Sequence, residues 1–250
     1  MILRTLKICL LMLLIIGVSS CAHNTVLSNP AEVKQTFVKM DVMITLVRCV
    51  DGKNQKLNAG SVASGAGIRY GDEIHILTAN HVCDYADVVG PAEEMGYTPT
   101  IKISAIDITG QQHVLEIVKQ NVEADLCLLK GKKKKLNIPT LELSGTAPEK
   151  NKKYFNFAAP AGVFNPGVVP LYEGNYAGIF YGVYALYTIP VYPGSSGSPI
   201  VNSDGELVGM VHSVHRNFHH VSFSATYEQL SIFLSDVKKE SGGLKLHLLP

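Results

Sequence analysis

Charge is scarce in this chain. Asp, Glu, Lys and Arg make up 17% of its 250 residues, and the two signs nearly cancel, with 22 basic against 21 acidic. A protein that coats nucleic acid carries a basic excess, and a disordered one has too few apolar residues to bury. With 46% hydrophobic residues, this chain fits neither class and has ample material for a core. No repeat period and no heptad seam run through it. None of its five cysteines forms a Cys-x-x-Cys pair, so no structural zinc site is indicated and no cofactor is called for. The apolar run over residues 8–18 is too short to cross a bilayer comfortably.

What the chain has in quantity is turn residues. Twenty-two glycines and twelve prolines are spread along it, which suits many short strands joined by tight turns. Apolar or alternating segments over 43–50, 65–70, 73–79, 100–106, 112–118 and 125–130 predict six strands, enough for one closed barrel. The lysine run 132–135 then reads as a solvated link. Further strands are predicted over 154–159, 169–172, 178–185, 186–189, 199–202, 206–214 and 220–225. In residues 227–239, Leu230, Phe233, Leu234 and Val237 recur at helical spacing.

Three stretches carry chemistry. The first is Pro193-Gly194-Ser195-Ser196-Gly197-Ser198-Pro199, followed by a hairpin signal at Asn202-Ser203-Asp204-Gly205. It sets a serine among small neighbours, which admit a carbonyl closely and leave backbone N–H groups free to meet a developing oxyanion. A reactive serine needs a base, and the base needs an orienting group. The apolar stretch Ile76-Leu77-Thr78-Ala79-Asn80 leads into His81, and Glu123-Ala124-Asp125 opens the strand Leu126-Cys127-Leu128-Leu129. Taken singly, a histidine at a strand end is an ordinary structural residue, and an aspartate before an apolar run an ordinary turn residue.

Together, and in the order histidine, aspartate, serine, these segments resemble the trypsin-like serine peptidases, in particular the bacterial stress-protease (HtrA/Deg) and glutamyl-endopeptidase branches. Ser64-Gly65-Ala66-Gly67-Ile68 and the connecting segment 137–144 are similar to those of the stress-protease group. The resemblance covers about residues 36–240. It implies an all-β fold of two six-stranded antiparallel barrels (about 36–135 and 150–226) with a C-terminal α-helix packed on the second. Too little chain follows Leu244 to expect a PDZ domain. It also implies a serine endopeptidase with a polypeptide substrate, His81 as base, Asp125 as orienting group, Ser196 as nucleophile, and an oxyanion hole from the N–H groups of Gly194 and Ser196. A non-catalytic binding protein on the same fold is the alternative. Ser198 stands where the commoner motif has a second glycine, as in the glutamyl endopeptidases.

By the same resemblance Pro190 lies at the base of the primary specificity pocket, with His212 and Ser213 as further candidates. No acidic residue occurs between Tyr187 and Ser195, which disfavours a grip on Lys or Arg and leaves small or medium apolar side chains as the first expectation. A glutamate preference fits less well, because the family's pocket histidine falls on Val211, and one step along a strand turns the side chain to the other face. His212 could equally pack beside the aspartate. His215, His219 and His220 lack a companion acid or cysteine and read as surface-loop histidines.

The N-terminus reads as a separate unit. Arg4 and Lys7 precede the apolar run, which closes with Val18-Ser19-Ser20-Cys21 and resembles a bacterial lipobox. That implies a signal peptide over 1–20, a diacylglycerol on Cys21, a polar tether over 21–35, and an exported, envelope-bound protein held to a membrane. A plain secretory signal or an uncleaved anchor are the other readings. Loss of 1–20 leaves 20 basic against 21 acidic residues, so charge points to no partner and nucleic acid is not expected. Cys49 and Cys83 are the expected disulfide by family pattern, with Cys127 a buried small hydrophobe. Oligomeric state is not legible.

Overall fold

The structure is a computed structural model that describes residues 27–215 and 218–241, so the signal segment and Cys21 lie outside the described residues. A short helix, α1 (Pro30–Thr36), leads into the hairpin of β1 (Phe37–Val50) and β2 (Lys53–Tyr70). Its turn is Asp51-Gly52, with φ of 50° and 74°, the two-residue connection whose twist matches that of paired strands. β3 (Glu73–Ala79), β4 (Thr98–Asp107), β5 (Gln112–Asn121) and β6 (Leu126–Gly131) complete a closed barrel in the order β1-β2-β3-β6-β5-β4. Between β3 and β4 lie a 3₁₀ turn, Asn80–Val82, and α2 (Ala86–Glu94).

The second barrel repeats this topology. β7 (Lys153–Phe157), β8 (Leu171–Phe180), β9 (Tyr184–Tyr187), β10 (Pro199–Val201), β11 (Leu207–His215) and β12 (Phe218–Ser224) close in the order β10-β11-β12-β9-β8-β7, and α3 (Tyr227–Ser241) ends the described chain. The architecture is the expected pair of six-stranded antiparallel barrels with a C-terminal helix.

Burial explains the closure. Phe37, Met40, Ile76, Leu77, Leu126, Leu128 and Leu129 fill the first barrel, each fully removed from water, at roughly 1.5–3 kcal/mol per large side chain. The second is filled differently: the rings of Tyr154 and Tyr176 lie 5.7 and 5.1 Å from that of the buried Tyr187. Burial pushes the Tyr187 hydroxyl well above its ordinary pKa, so it stays neutral. The connecting segment is stitched to both barrels. Leu141 N–H donates to Gly67 C=O (2.9 Å), while Ser144 N–H donates to Leu207 C=O (2.9 Å). Gly67 permits that approach, since a Cβ there would lie 2.4 Å from the Pro139 carbonyl oxygen.

Four expectations need correction. The tether ends early: Leu27 and Val33 are buried, and Ser28 N–H donates to Ser203 C=O (2.8 Å), so residues 27–36 dock on the barrels as a turn and short helix. The strand expected over 178–185 is split by a turn at Tyr181-Gly182, both at positive φ, that separates β8 from β9. β2 begins twelve residues before the strand expected from 65, because 53–62 are exposed throughout and show no apolar face to read. Finally, α3 sits across the seam rather than on the second barrel alone. Its buried Leu230 and Phe233 belong to a core cluster that draws on both barrels, with Lys119 of β5 over the Phe233 ring.

Candidate functional site

His81 is held by Asp125 through both its main chain and its ring. The His81 N–H donates to Asp125 Oδ1 and the ring Nδ1 lies on Asp125 Oδ2, each at 2.8 Å. The aspartate is fixed in turn: its carbonyl accepts the Asn80 N–H (3.0 Å), and its φ of 52° aims the carboxylate back over the 3₁₀ turn. Aspartate tolerates that left-handed conformation better than most residues. Half of the His81 side chain stays exposed, against a fifth of Asp125, so the ring reaches into the cleft while its anchor is screened.

A covalent link reinforces the pair. Cys83 bonds Cys127, and both are buried. The expected Cys49–Cys83 bridge is therefore incorrect, as is Cys127 as a free core residue. Cys49 is exposed beside the β1–β2 turn, opposite Asn54, at the far end of a projecting hairpin. Cys127 lies two residues beyond Asp125 and Cys83 two beyond His81, so the bridge staples the two elements that carry the candidate base and its anchor. It closes a separation of 44 residues, worth about 4 kcal/mol in the chain-entropy account.

The serine turn comes from the second barrel but is fastened to the first. Ser64 on β2 donates its N–H to Ser196 C=O (2.8 Å). Its buried hydroxyl donates to Gly194 C=O (2.8 Å) and accepts the Ala159 N–H (3.0 Å). Thr78 Oγ1 of β3 donates to Ser64 C=O (2.8 Å), closing the network three residues before His81. Space is so tight that a Cβ on Gly197 would fall 2.1 Å from Thr78 Oγ1, and one on Gly194 2.5 Å from Ala159 O. Both glycines also have positive φ, 83° and 103°.

The turn's amides divide into two sets. Ser195, Gly197 and Ser198 donate their N–H groups to the carbonyls of Tyr192, Val211 and Ser195. Those of Gly194 and Ser196 have no protein acceptor among the described residues. These two are the donors expected for an oxyanion, and they stay free while their neighbours are bonded. No hydrogen bond joins the Ser196 hydroxyl to the His81 ring among the described residues, and such bonds commonly tighten only with substrate bound.

Ser198 is also accounted for. Asn156 of β7, fully buried, donates through Nδ2 to both Ser198 Oγ and Pro199 C=O at 2.8 Å. A glycine would leave that amide one acceptor short. Ser64 stands in the sequence as part of a family-like segment with no role in the serine turn expected of it, and Asn156 carries no expectation at all. The one available signal was a polar residue inside each apolar stretch.

The proposed pocket residues do not converge. Pro190 follows β9, where the next residue, Val191, donates its N–H to His219 C=O (2.9 Å). Ser213 is exposed opposite Phe223. His212 instead lines a hollow of about 460 Å³ with His81, Asp125 and Tyr184, which neither Pro190 nor Ser213 enters. Its Nδ1 lies 3.7 Å from Asp125 Oδ2. The physical cause is a β-bulge: Val211 pairs with Ser224 and Ser213 with Phe223, leaving His212 as the extra residue, its side chain released from strict alternation. The assignment of His212 to the specificity pocket is therefore corrected in favour of the aspartate side. Among the described residues no group of three or more His, Cys, Asp or Glu side chains is placed to hold a metal ion.

Comparison with known proteins agrees with this fold. Residues 65–210 match the family model of the trypsin-like peptidase domain. No curated protein matches the chain. Among solved structures, a serine endoprotease from Yersinia pestis is 16% identical with a TM-score of 0.59, covering 82% of this chain and 65% of its own. The HtrA-type protease AlgW, solved with a decapeptide, is 14% identical with a TM-score of 0.60 over the same shares. The chain thus spans just under two thirds of the length of these structures, and at such identity the likeness establishes the fold.

Two outcomes follow from the site's construction. Reduction, or Cys127→Ala, lowers the unfolding free energy by about 2–4 kcal/mol in urea and speeds amide exchange at His81; an unchanged denaturation midpoint contradicts the staple. Ser64→Ala strands the Gly194 carbonyl and the Ala159 N–H, costing about 1–3 kcal/mol. A loss below about 0.5 kcal/mol would mean that the hydroxyl does not hold the turn.

Proposed function

Because the chain belongs to the trypsin-like peptidase family, we propose that it is a serine endopeptidase acting through His81, Asp125 and Ser196. The observation that carries this reading is the doubly bonded His81–Asp125 pair beside a glycine-bracketed serine turn with two unengaged amides. With Nδ1–H directed at Asp125, the His81 Nε2 is left as a proton acceptor. It takes the Ser196 hydroxyl proton as the oxygen attacks a peptide carbonyl. The carbonyl oxygen gains charge and is met by the N–H groups of Gly194 and Ser196, each such donor being worth roughly 2.7–4 kcal/mol in related chemistry. The proton passes from His81 to the leaving amine, and water then releases the acyl group from Ser196 by the same steps in reverse. Asp125 stays ionised throughout and stabilises the transient imidazolium.

The substrate is an extended polypeptide. The decapeptide held by the HtrA-type relative supports that class, and the absence of an acid between Tyr187 and Ser195 supports a small or medium apolar residue before the cleaved bond. The lipobox-like Val18-Ser19-Ser20-Cys21 supports export and a lipid anchor on Cys21 in the cell envelope, where the Cys83–Cys127 bridge would also persist.

Ser196→Ala is expected to lower casein hydrolysis by about a thousandfold or more, abolish labelling by a fluorophosphonate probe, and leave the thermal midpoint essentially unchanged. Digestion by the variant at the parental rate rejects the mechanism. A wild type that resists the probe while a known serine hydrolase is labelled points to a non-catalytic binding role. For the anchor, Cys21→Ser is expected to move the protein from the membrane pellet to the soluble fraction, and an unaltered distribution rejects lipidation at that residue.

A further inference from the structure

His212 is a titratable side chain that this mechanism does not use, and it rests against the mechanism's anchor. Its Nδ1 is 3.7 Å from Asp125 Oδ2, the same oxygen that the His81 ring contacts at 2.8 Å. One carboxylate oxygen therefore faces two imidazoles. The His212 ring forms a triangular cluster with Tyr184 (centroids 5.1 Å) and Phe223 (6.4 Å), which also touch each other (6.0 Å), and only 12% of its side chain is exposed. Its Nε2 is buried with no hydrogen-bond partner among the described residues, and its Nδ1 faces the Asp125 carboxylate at a distance just beyond a hydrogen bond.

The backbone leaves the ring little freedom to move elsewhere. Val211, the preceding residue, is pinned to the serine turn, its C=O accepting the Gly197 N–H (2.7 Å) and its N–H donating to Ser198 C=O (2.9 Å). The bulge then projects His212 from that clamp toward Asp125. The residue is thus tied at its backbone to the nucleophile turn and at its ring to the base's anchor. A residue serving only to fill space would need no nitrogen on that edge.

We infer that His212 is a positioning residue whose imidazole fixes the Asp125 carboxylate for His81 and sets the pH range over which His81 works as a base. The inference rests on the peptidase reading for its activity consequences and on geometry alone for the coupling of the two rings. Burial pushes the His212 imidazole below its ordinary value, Asp125 pulls against that, and His81 adds to the fall. The ring is therefore neutral near pH 7, and in its Nδ1–H form it presents a dipole, not a second cation, to the shared oxygen. A proton added to His212 competes with His81 for a single negative charge. Among the described residues the other ionisable groups around the hollow are Asp84 and Asp87 beyond the 3₁₀ turn, Glu123 before Asp125, and Tyr184 of β9, with no Lys or Arg.

Two variants separate positioning from packing. His212→Phe keeps a ring against Tyr184 and Phe223 but removes the nitrogen facing Asp125, whereas His212→Asn keeps a donor and sacrifices the ring. Positioning predicts that H212F lowers kcat about tenfold with KM changed less than about twofold, and moves the acid limb of kcat/KM by about 0.3 pH units or more. H212N then recovers most of the lost kcat despite its poorer packing. Packing alone predicts the reverse order, with H212F near wild type and H212N the damaged protein, and that order overturns the inference. Ring NMR titration of His81 in wild type and H212F gives a readout independent of turnover: a shifted midpoint supports the coupling and an unmoved one rejects it. If the wild type resists a fluorophosphonate probe while the two rings still titrate as a coupled pair, the peptidase reading falls and the shared carboxylate stands.

Discussion

Both oxygens of the Asp125 carboxylate are committed to one neighbour, the His81 main chain on one side and its ring on the other. That double contact fixes which way the imidazole faces and which nitrogen is left for chemistry. It requires Asp125 in a left-handed backbone conformation, an arrangement that carries a cost of order 1–3 kcal/mol for residues less tolerant than aspartate. The surroundings hold it there. Asn80 N–H ties the Asp125 carbonyl, Gln120 ties the Asn80 side chain, and the Cys83–Cys127 bridge links the segments downstream of both residues. Nothing in this group relies on an exposed ion pair, which would contribute little.

The seam between the barrels depends on small residues to the same degree. Ser64 faces the serine turn with its amide, hydroxyl and carbonyl all engaged. Gly197 lets the serine turn approach the first barrel's Ser64 and Thr78 to distances that no side chain could occupy, and Gly194 does the same against the Ala159–Gly162 backbone of its own barrel. The consequence is electrostatic as well as steric. The Pro193 carbonyl, which shares its peptide plane with the Gly194 N–H, accepts the Ala161 N–H, and the Ser195 carbonyl, which shares its plane with the Ser196 N–H, accepts the Ser198 N–H, so both planes are held with the two N–H groups free of protein acceptors among the described residues. Preorganised donors of this kind need no reorganisation when charge develops, which is the property that makes an oxyanion site effective.

How much of this could be read from residues alone depended on whether a feature was local. The segments bearing His81, Asp125 and Ser196 are each short and bounded by distinctive neighbours, and all three stood out. β3 was bounded to the residue because its apolar run is framed by polar turns. The front half of β2 was invisible, since a hairpin exposed on both faces carries no hydrophobic period. The disulfide was misassigned because pairing depends on which strands adjoin: β3 neighbours β6, bringing Cys83 to Cys127, while Cys49 sits on an outward hairpin. His212 was half-legible. Strict alternation separated it from Val211, but a bulge is a register slip against a partner strand and leaves no mark in the strand's own sequence.

Two imidazoles beside one carboxylate also constrain the direction in which the site can run. In the proposed mechanism His81 becomes an imidazolium between the Asp125 carboxylate and the developing oxyanion, and a protonated His212 would set a second cation against the carboxylate that His81 relies on, so His212 works there as a neutral ring. The exposed carboxylates Asp84, Asp87 and Glu123 cannot offset a second buried cation, because solvent and salt screen them over a Debye length of about 8 Å at physiological ionic strength. Burial of His212 beside Tyr184 and Phe223 supplies the needed neutrality from packing, with no charged partner required. The aromatic walls, far from being passive filler, therefore belong to the electrostatics of the pair they enclose: opening them to water would weaken the desolvation that holds the second ring uncharged, and His81 would then share its anchor with a competitor.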